Sequence, residues 1–129
     1  MTLIKFGNEQ KIGIQEIDNQ HKAIFDNVNY LFEIKNRDKK EILESYDSLL
    51  EKLKSHFKAE EKFMKEHKAI NYISHKLEHD RAYKKYFNYY IAFKSEKKEF
   101  DSEILISMRN WLESHLIKKD KKLPSLVKN

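Results

Sequence analysis

Six histidines punctuate the chain, and five of them stand where they could assemble a metal site: His21, His56, His75, His79 and His115. Two carboxylates keep register with them, Glu60 four residues after His56 and Asp120 five after His115. An i, i+4 step on a helix turns by about 40°, so His56 and Glu60 point the same way, as do His75 and His79. A five-residue step turns by about 140°, so Asp120 can join the set only from a bent or frayed helix end. A donor set of imidazole and carboxylate without sulfur suits non-haem iron or manganese better than structural zinc. Without cations the same set is unfavourable. Ten buried ring nitrogens need partners that an apolar core does not supply, and two buried carboxylates are costly unpaired. Seven side chains exceed the coordination sphere of one ion. If Glu60 and Asp120 each bridge two ions, the histidines divide three and two. One solvent-derived bridge then completes a six-coordinate ion and a five-coordinate ion, the latter with an open position for a small molecule.

Four amphipathic stretches must position these groups. The first runs from about Asp18 to Lys35, with Ile24, Phe25, Val28, Leu31 and Phe32 on one face. The second starts near Asp38, where Asp38-Lys39-Lys40-Glu41 reads as a capping-box variant, and carries Leu49, Leu50, Leu53, Phe57, Phe63 and Met64. The third begins around Asn71 and includes Ala82, Tyr83, Tyr86, Phe87, Tyr90 and Ile91. The fourth begins at Asp101-Ser102 and carries Leu105, Ile106, Met108, Trp111, Leu112 and Leu116; Pro124 stops a long continuation. The five histidines fall on the inward faces of these four stretches, and His67 falls in a connection. Short connections favour antiparallel neighbours. The expected fold is all-α, an up-down-up-down antiparallel four-helix bundle over about residues 17–123 of one domain. Residues 1–16 would form an irregular arm packed by Phe6, Ile12 and Ile14.

Composition narrows the alternatives. Two glycines and one proline leave little turn material for a many-stranded β protein, and zero cysteines exclude a disulfide framework, a thiolate site and a cysteine nucleophile. The net charge is +5, but only Arg37, Arg81 and Arg109 are arginine, and lysine is interleaved with glutamate throughout. That pattern reads as a solvated helical surface, with no nucleic-acid or membrane partner expected. No apolar run is long enough for a signal peptide or a membrane span, so a soluble cytoplasmic protein is expected.

With these residues in place the chain resembles the hemerythrin family, in particular its single-domain bacterial members. The family pattern is a His after an acidic-x-Gln stretch, then H-x3-E, H-x3-H and H-x4-D. Here these are Asp18-Asn19-Gln20-His21, His56 to Glu60, His75 to His79, and His115 to Asp120. Ile12-Gly13-Ile14-Gln15-Glu16-Ile17 and Trp111-Leu112 also match, so the likeness spans about Ile12 to Leu123. The resemblance implies two non-haem iron ions with an oxo or hydroxo bridge, binding O2 reversibly for storage, delivery or buffering. His75, His79 and His115 would hold one iron, His21 and His56 the other, and Glu60 and Asp120 would bridge them. By the same correspondence Ile24, Phe57, Ile106 and Leu112 would line the O2 pocket. All four are apolar, and a wall with no general acid favours binding over turnover. Phe6 stands where many members carry tryptophan.

Other uses of these residues explain less. His75-Lys76-Leu77-Glu78-His79 fits the zinc-peptidase pattern H-x-x-E-H, with Glu78 as base, but leaves His21, Glu60 and Asp120 idle. A ferritin-like oxidase needs Glu-x-x-His pairs, and no Glu lies three residues before any His. A reductase of nitric oxide or peroxide, or an O2 or redox sensor, would use the same di-iron scaffold. Glu113 is expected to face away from the irons, and Tyr83, Tyr86 and Tyr90 to serve packing.

Overall fold

A computed structural model describes residues 3–7, 10–118 and 120–127. The described residues form four α-helices: α1 (Gln15–Glu33), α2 (Lys39–Glu66), α3 (Tyr72–Lys94) and α4 (Ser102–Lys118). A 3-10 helix, Asp120–Val127, follows. The beginning of α1 meets the end of α2 through His21 and His56, and the beginning of α3 meets the end of α4 through His79 and His115. Neighbouring helices therefore run antiparallel, and the fold is an all-α four-helix bundle. Among the described residues no helix is long and apolar enough to cross a membrane.

Local chemistry sets the helix ends. The Asp38 carboxylate accepts from the Glu41 N–H at 3.2 Å and starts α2. Only this half of the expected capping box forms, because the Glu41 carboxylate accepts instead from Tyr30 Oη and Arg37 Nη1. Asp101 accepts from the Glu103 N–H at 2.9 Å and starts α4. With so few glycines, α2 and α3 end in Schellman turns on other residues. Lys68 (φ 53°) and Glu96 (φ 64°) take the left-handed conformation. The N–H groups of Ala69 and Lys97 then reach back to the Met64 and Ala92 carbonyls at 2.9 Å.

The arm is shorter than expected, since α1 starts at Gln15. Asp18 holds it, accepting from the Ile12 and Gly13 N–H groups at 2.7 and 3.1 Å. Gly13 has φ 94°, which only glycine adopts readily. Further out, Asn29 accepts from the Leu3 and Ile4 N–H groups and donates to the Ile4 carbonyl. Ile4 and Ile12 are buried, and Phe6 packs edge-on against Phe25.

On α3 the buried stripe is His75, His79, Ala82, Tyr86, Tyr89 and Phe93. Phe87 and Ile91, expected in the core, are exposed. They sit one position beyond Tyr86 and Tyr90, and each position turns a side chain by about 100° around the helix. Tyr89 and Phe93 fill the core in their place. The side chain of Leu116 lies outside the described set.

Candidate metal centre

The bundle gathers His21, His56, Glu60, His75, His79, His115 and Asp120 in one buried cluster. Each comes from a buried helix stripe except Asp120. It arrives because α4 ends at Lys118 and the tighter 3-10 helix begins at Asp120, turning its carboxylate inward.

The two carboxylates are divided between two groups of histidines. Glu60 Oε2 lies 3.2 Å from His56 Nε2 and 3.7 Å from His21 Nε2. Glu60 Oε1 lies 3.1 Å from His79 Nε2, 3.6 Å from His75 Nε2 and 3.7 Å from His115 Nε2. Asp120 repeats the split, with Oδ2 2.9 Å from His21 Nε2, and Oδ1 3.1 and 3.5 Å from the Nε2 atoms of His115 and His75. Three imidazoles with one oxygen of each carboxylate face one point, and two imidazoles with the other oxygens face a second.

This donor set fits cations. Buried polar atoms are normally hydrogen-bonded. Here His75 Nε2, both Glu60 oxygens and Asp120 Oδ1 are buried without a hydrogen-bond partner. Pairs of Nε2 atoms also face each other at 3.0 Å, His21 with His56 and His79 with His115. The outer nitrogens of His56 and His79 donate to Gln20 and Glu61, so in neutral rings the inner nitrogens carry lone pairs. Each facing pair can share a proton or, in its place, a cation. The titration of the cluster has the same cause. Burial opposes the charged form of His56 and His115, but the Glu60 and Asp120 carboxylates outweigh it and hold them at about 10 and about 9. Burial opposes the carboxylates too, and Asp120 also feels the charge of Glu60, yet the surrounding imidazoles hold both below the ordinary carboxylate range.

The sequence profile of the Hemerythrin HHE cation binding domain matches residues 12–127. The chain belongs to the hemerythrin family. Bacteriohemerythrin of Methylococcus capsulatus is 32% identical over 105 residues, covering 81% of this chain and 80% of the relative. Bacteriohemerythrin of Aquifex aeolicus is 30% identical over 123 residues, 92% of each chain. Among solved structures, a wild-type hemerythrin superposes with a TM-score of 0.90 at 29% identity, covering 96% of this chain and 98% of its own. A leucine-to-alanine hemerythrin variant superposes with a TM-score of 0.93 at 27% identity, covering all of both chains.

Within this hemerythrin fold, the residues named for a pocket separate into two kinds. Ile24, Phe57 and Leu112 are buried. Phe57 lies flat on His79, ring centroids 4.1 Å apart, and also meets the rings of His56 and His115. Ile24 and Leu112 occupy the turns next to His21 and His115 on the same helix faces. Ile106 does not join them. It is 36% exposed, one position past the buried Leu105, and so turned toward solvent.

Four residues around the clustered histidines make contacts that spacing alone does not give, and only Glu61 among them had no place in the sequence motifs. Gln20 accepts from His56 Nδ1 at 2.7 Å, and Glu61 from His79 Nδ1 at 2.9 Å. Glu78 approaches His115 Nδ1 at 3.6 Å, on the side of the ring facing away from the cluster, which is the wrong side for a peptidase base. Trp111 stacks on His115 at 4.5 Å. Gln20 and Trp111 were visible as parts of motifs, but nothing in their spacing shows which ring each meets. Glu113 is exposed beside Arg109, and His67 turns away to the Phe63 carbonyl.

Proposed function

We propose that this chain binds O2 reversibly at a non-haem di-iron centre, for storage, delivery or buffering of the gas. His75, His79 and His115 would hold one iron, His21 and His56 the other, and Glu60 and Asp120 would be shared by both. The observation that carries the reading is the split of the carboxylates. Each turns one oxygen to the three-histidine group and one to the two-histidine group. That division would let the two carboxylates be shared between a metal held by three histidines and a metal held by two, the latter with room left for a small molecule. The relatives named bacteriohemerythrin support the same assignment.

A bound di-iron pair would supply two reducing equivalents and a place for the gas. The protein supplies the surroundings. Ile24, Phe57 and Leu112 keep water from that side and bring no proton donor, which favours release of the gas unchanged over its reduction. The exposed carboxylate of Glu113 is turned away from the cluster.

The test is optical. The iron-loaded protein is reduced without oxygen, O2 is admitted, the visible spectrum is recorded, and the gas is then removed. A band that appears with O2 and vanishes on its removal is expected. A band that decays irreversibly to the oxidised form would replace the carrier reading with a reductase or sensor. No band at all would overturn the ligand assignment or the metal.

A further inference from the structure

The two halves of the cluster are backed unequally. On the three-histidine side, His79 Nδ1 is 2.9 Å from Glu61 Oε2, and the glutamate side chain is only 15% exposed. A second carboxylate, Glu78, approaches His115 Nδ1 at 3.6 Å. On the two-histidine side, His56 Nδ1 meets the neutral amide of Gln20 at 2.7 Å; His21 Nδ1, like the Nδ1 atoms of His75 and His115 on the other side, is buried without a hydrogen-bond partner, so the charged backing of His79 is what distinguishes the two sides. Both contacts fix the tautomer that turns Nε2 inward. Only a carboxylate also raises the basicity of the ring it holds and adds a negative charge behind it.

We infer that Glu61 and Gln20 are positioning residues that make the two metal positions unequal: Glu61 tightens the three-histidine position, and Gln20 leaves the two-histidine position the weaker. The inference rests on the metal-centre reading above. It implies ordered loading, with the three-histidine position filling first. The ion with the open coordination position then sits on the side without a carboxylate behind its imidazoles.

The experiment is a titration of the metal-free protein with Co2+ under anaerobic conditions, followed by calorimetry and visible absorption. Wild-type protein should take up metal in two steps. Glu61→Gln keeps a hydrogen-bond acceptor beside His79 and removes the charge. It should weaken the first step alone, on the order of 10–100-fold, the range typical for loss of such a partner. Gln20→Glu should strengthen the second step alone, an opposite and site-selective change that general loosening of the fold cannot produce. Circular dichroism and melting of the metal-free variants verify folding. Two-step uptake that Glu61→Gln leaves unchanged, or weakens equally in both steps, overturns this inference alone. A folded wild-type chain that takes up no Co2+ overturns the metal-centre reading and this inference with it.

Discussion

The two ends of the bundle bury polar atoms in opposite ways. In the half away from the histidine cluster, each buried phenol finds a protein partner. Tyr46 Oη donates to the Tyr86 carbonyl at 2.8 Å, and Tyr86 Oη lies 3.3 Å from Ser107 Oγ. Tyr89 Oη donates to the Glu99 carbonyl and accepts from the Asp101 N–H. Burial pushes the Tyr46 phenol above its ordinary range, so it remains a donor. In the other half, the buried side-chain atoms without partners all belong to His21, Glu60, His75, His115 and Asp120 among the described residues. One half is complete as protein and holds the scaffold. The other half gathers buried imidazoles and carboxylates that could hold cations.

The largest expected break in this contrast is Glu60→Ala. Glu60 faces both histidine groups, so its loss should abolish stable metal binding at both. Metal analysis after gel filtration should fall from two ions per chain to none. Retention of both would refute the assignment.

The stabilisation that metal brings should itself depend on pH. His56 and His115 are held at about 10 and about 9, above their ordinary 6.5. Their contribution to the metal-free fold is therefore complete below pH 6.5 and lost as the pH rises through 9 and 10. Glu60 is held below its ordinary 4.5, so its contribution is present above pH 4.5 and lost as the pH falls. Metal-free protein should then melt highest between about pH 4.5 and 6.5. Metal competes with protons for the same nitrogens, so the rise in Tm on loading should grow from pH 6 toward pH 9. Paired melts across that range measure it; a rise that shrinks would place the metal elsewhere.

Leu112→Asn tests the apolar wall. It should leave iron in place and shorten the life of the O2 complex on the order of tenfold, equivalent to about 1.4 kcal/mol. Stopped-flow decay of the visible band reads the change, and an unaltered lifetime would remove Leu112 from the pocket. Tyr46→Phe probes the other half. It deletes one buried hydrogen bond and should lower stability to urea by about 1 kcal/mol with iron content unchanged. Loss of iron in that variant would mean that the two halves are not separate in function.

What the sequence disclosed follows the same division. The seven clustered groups were legible because their chemistry is distinctive and their spacing is local. His56 and Glu60 share a face by helix geometry alone, and the awkward step from His115 to Asp120 already required the break found after Lys118. The partners behind them were not legible. Whether Glu61 backs His79, or Gln20 backs His56, depends on how two helices are rotated against each other, and neither helix encodes that alone. Phe87 and Ile91 misled for a third reason, since apolar character permits burial without compelling it. Spacing of three and four from His79 through Ala82 to Tyr86 marks the buried stripe of α3 better than the identity of its aromatics.

Ile106 offers the finest test of that lesson, because its expected effect is the smallest. Its resemblance to a pocket position and its hydrophobicity both argued for the wall, yet its place one step past Leu105 leaves it 36% exposed. Ile106→Ser should therefore change stability by no more than about 0.5 kcal/mol. It should also leave the O2 complex as long-lived as wild type, where Leu112→Asn shortens it. Leu112 and Ile106 are six residues apart on α4, a helical rotation of about 120° after full turns are removed, so the pair asks whether orientation or residue type decides the wall. Equal effects from the two substitutions would mean that α4 turns in solution to bring Ile106 inward, and the boundary drawn between pocket and surface would have to move with it.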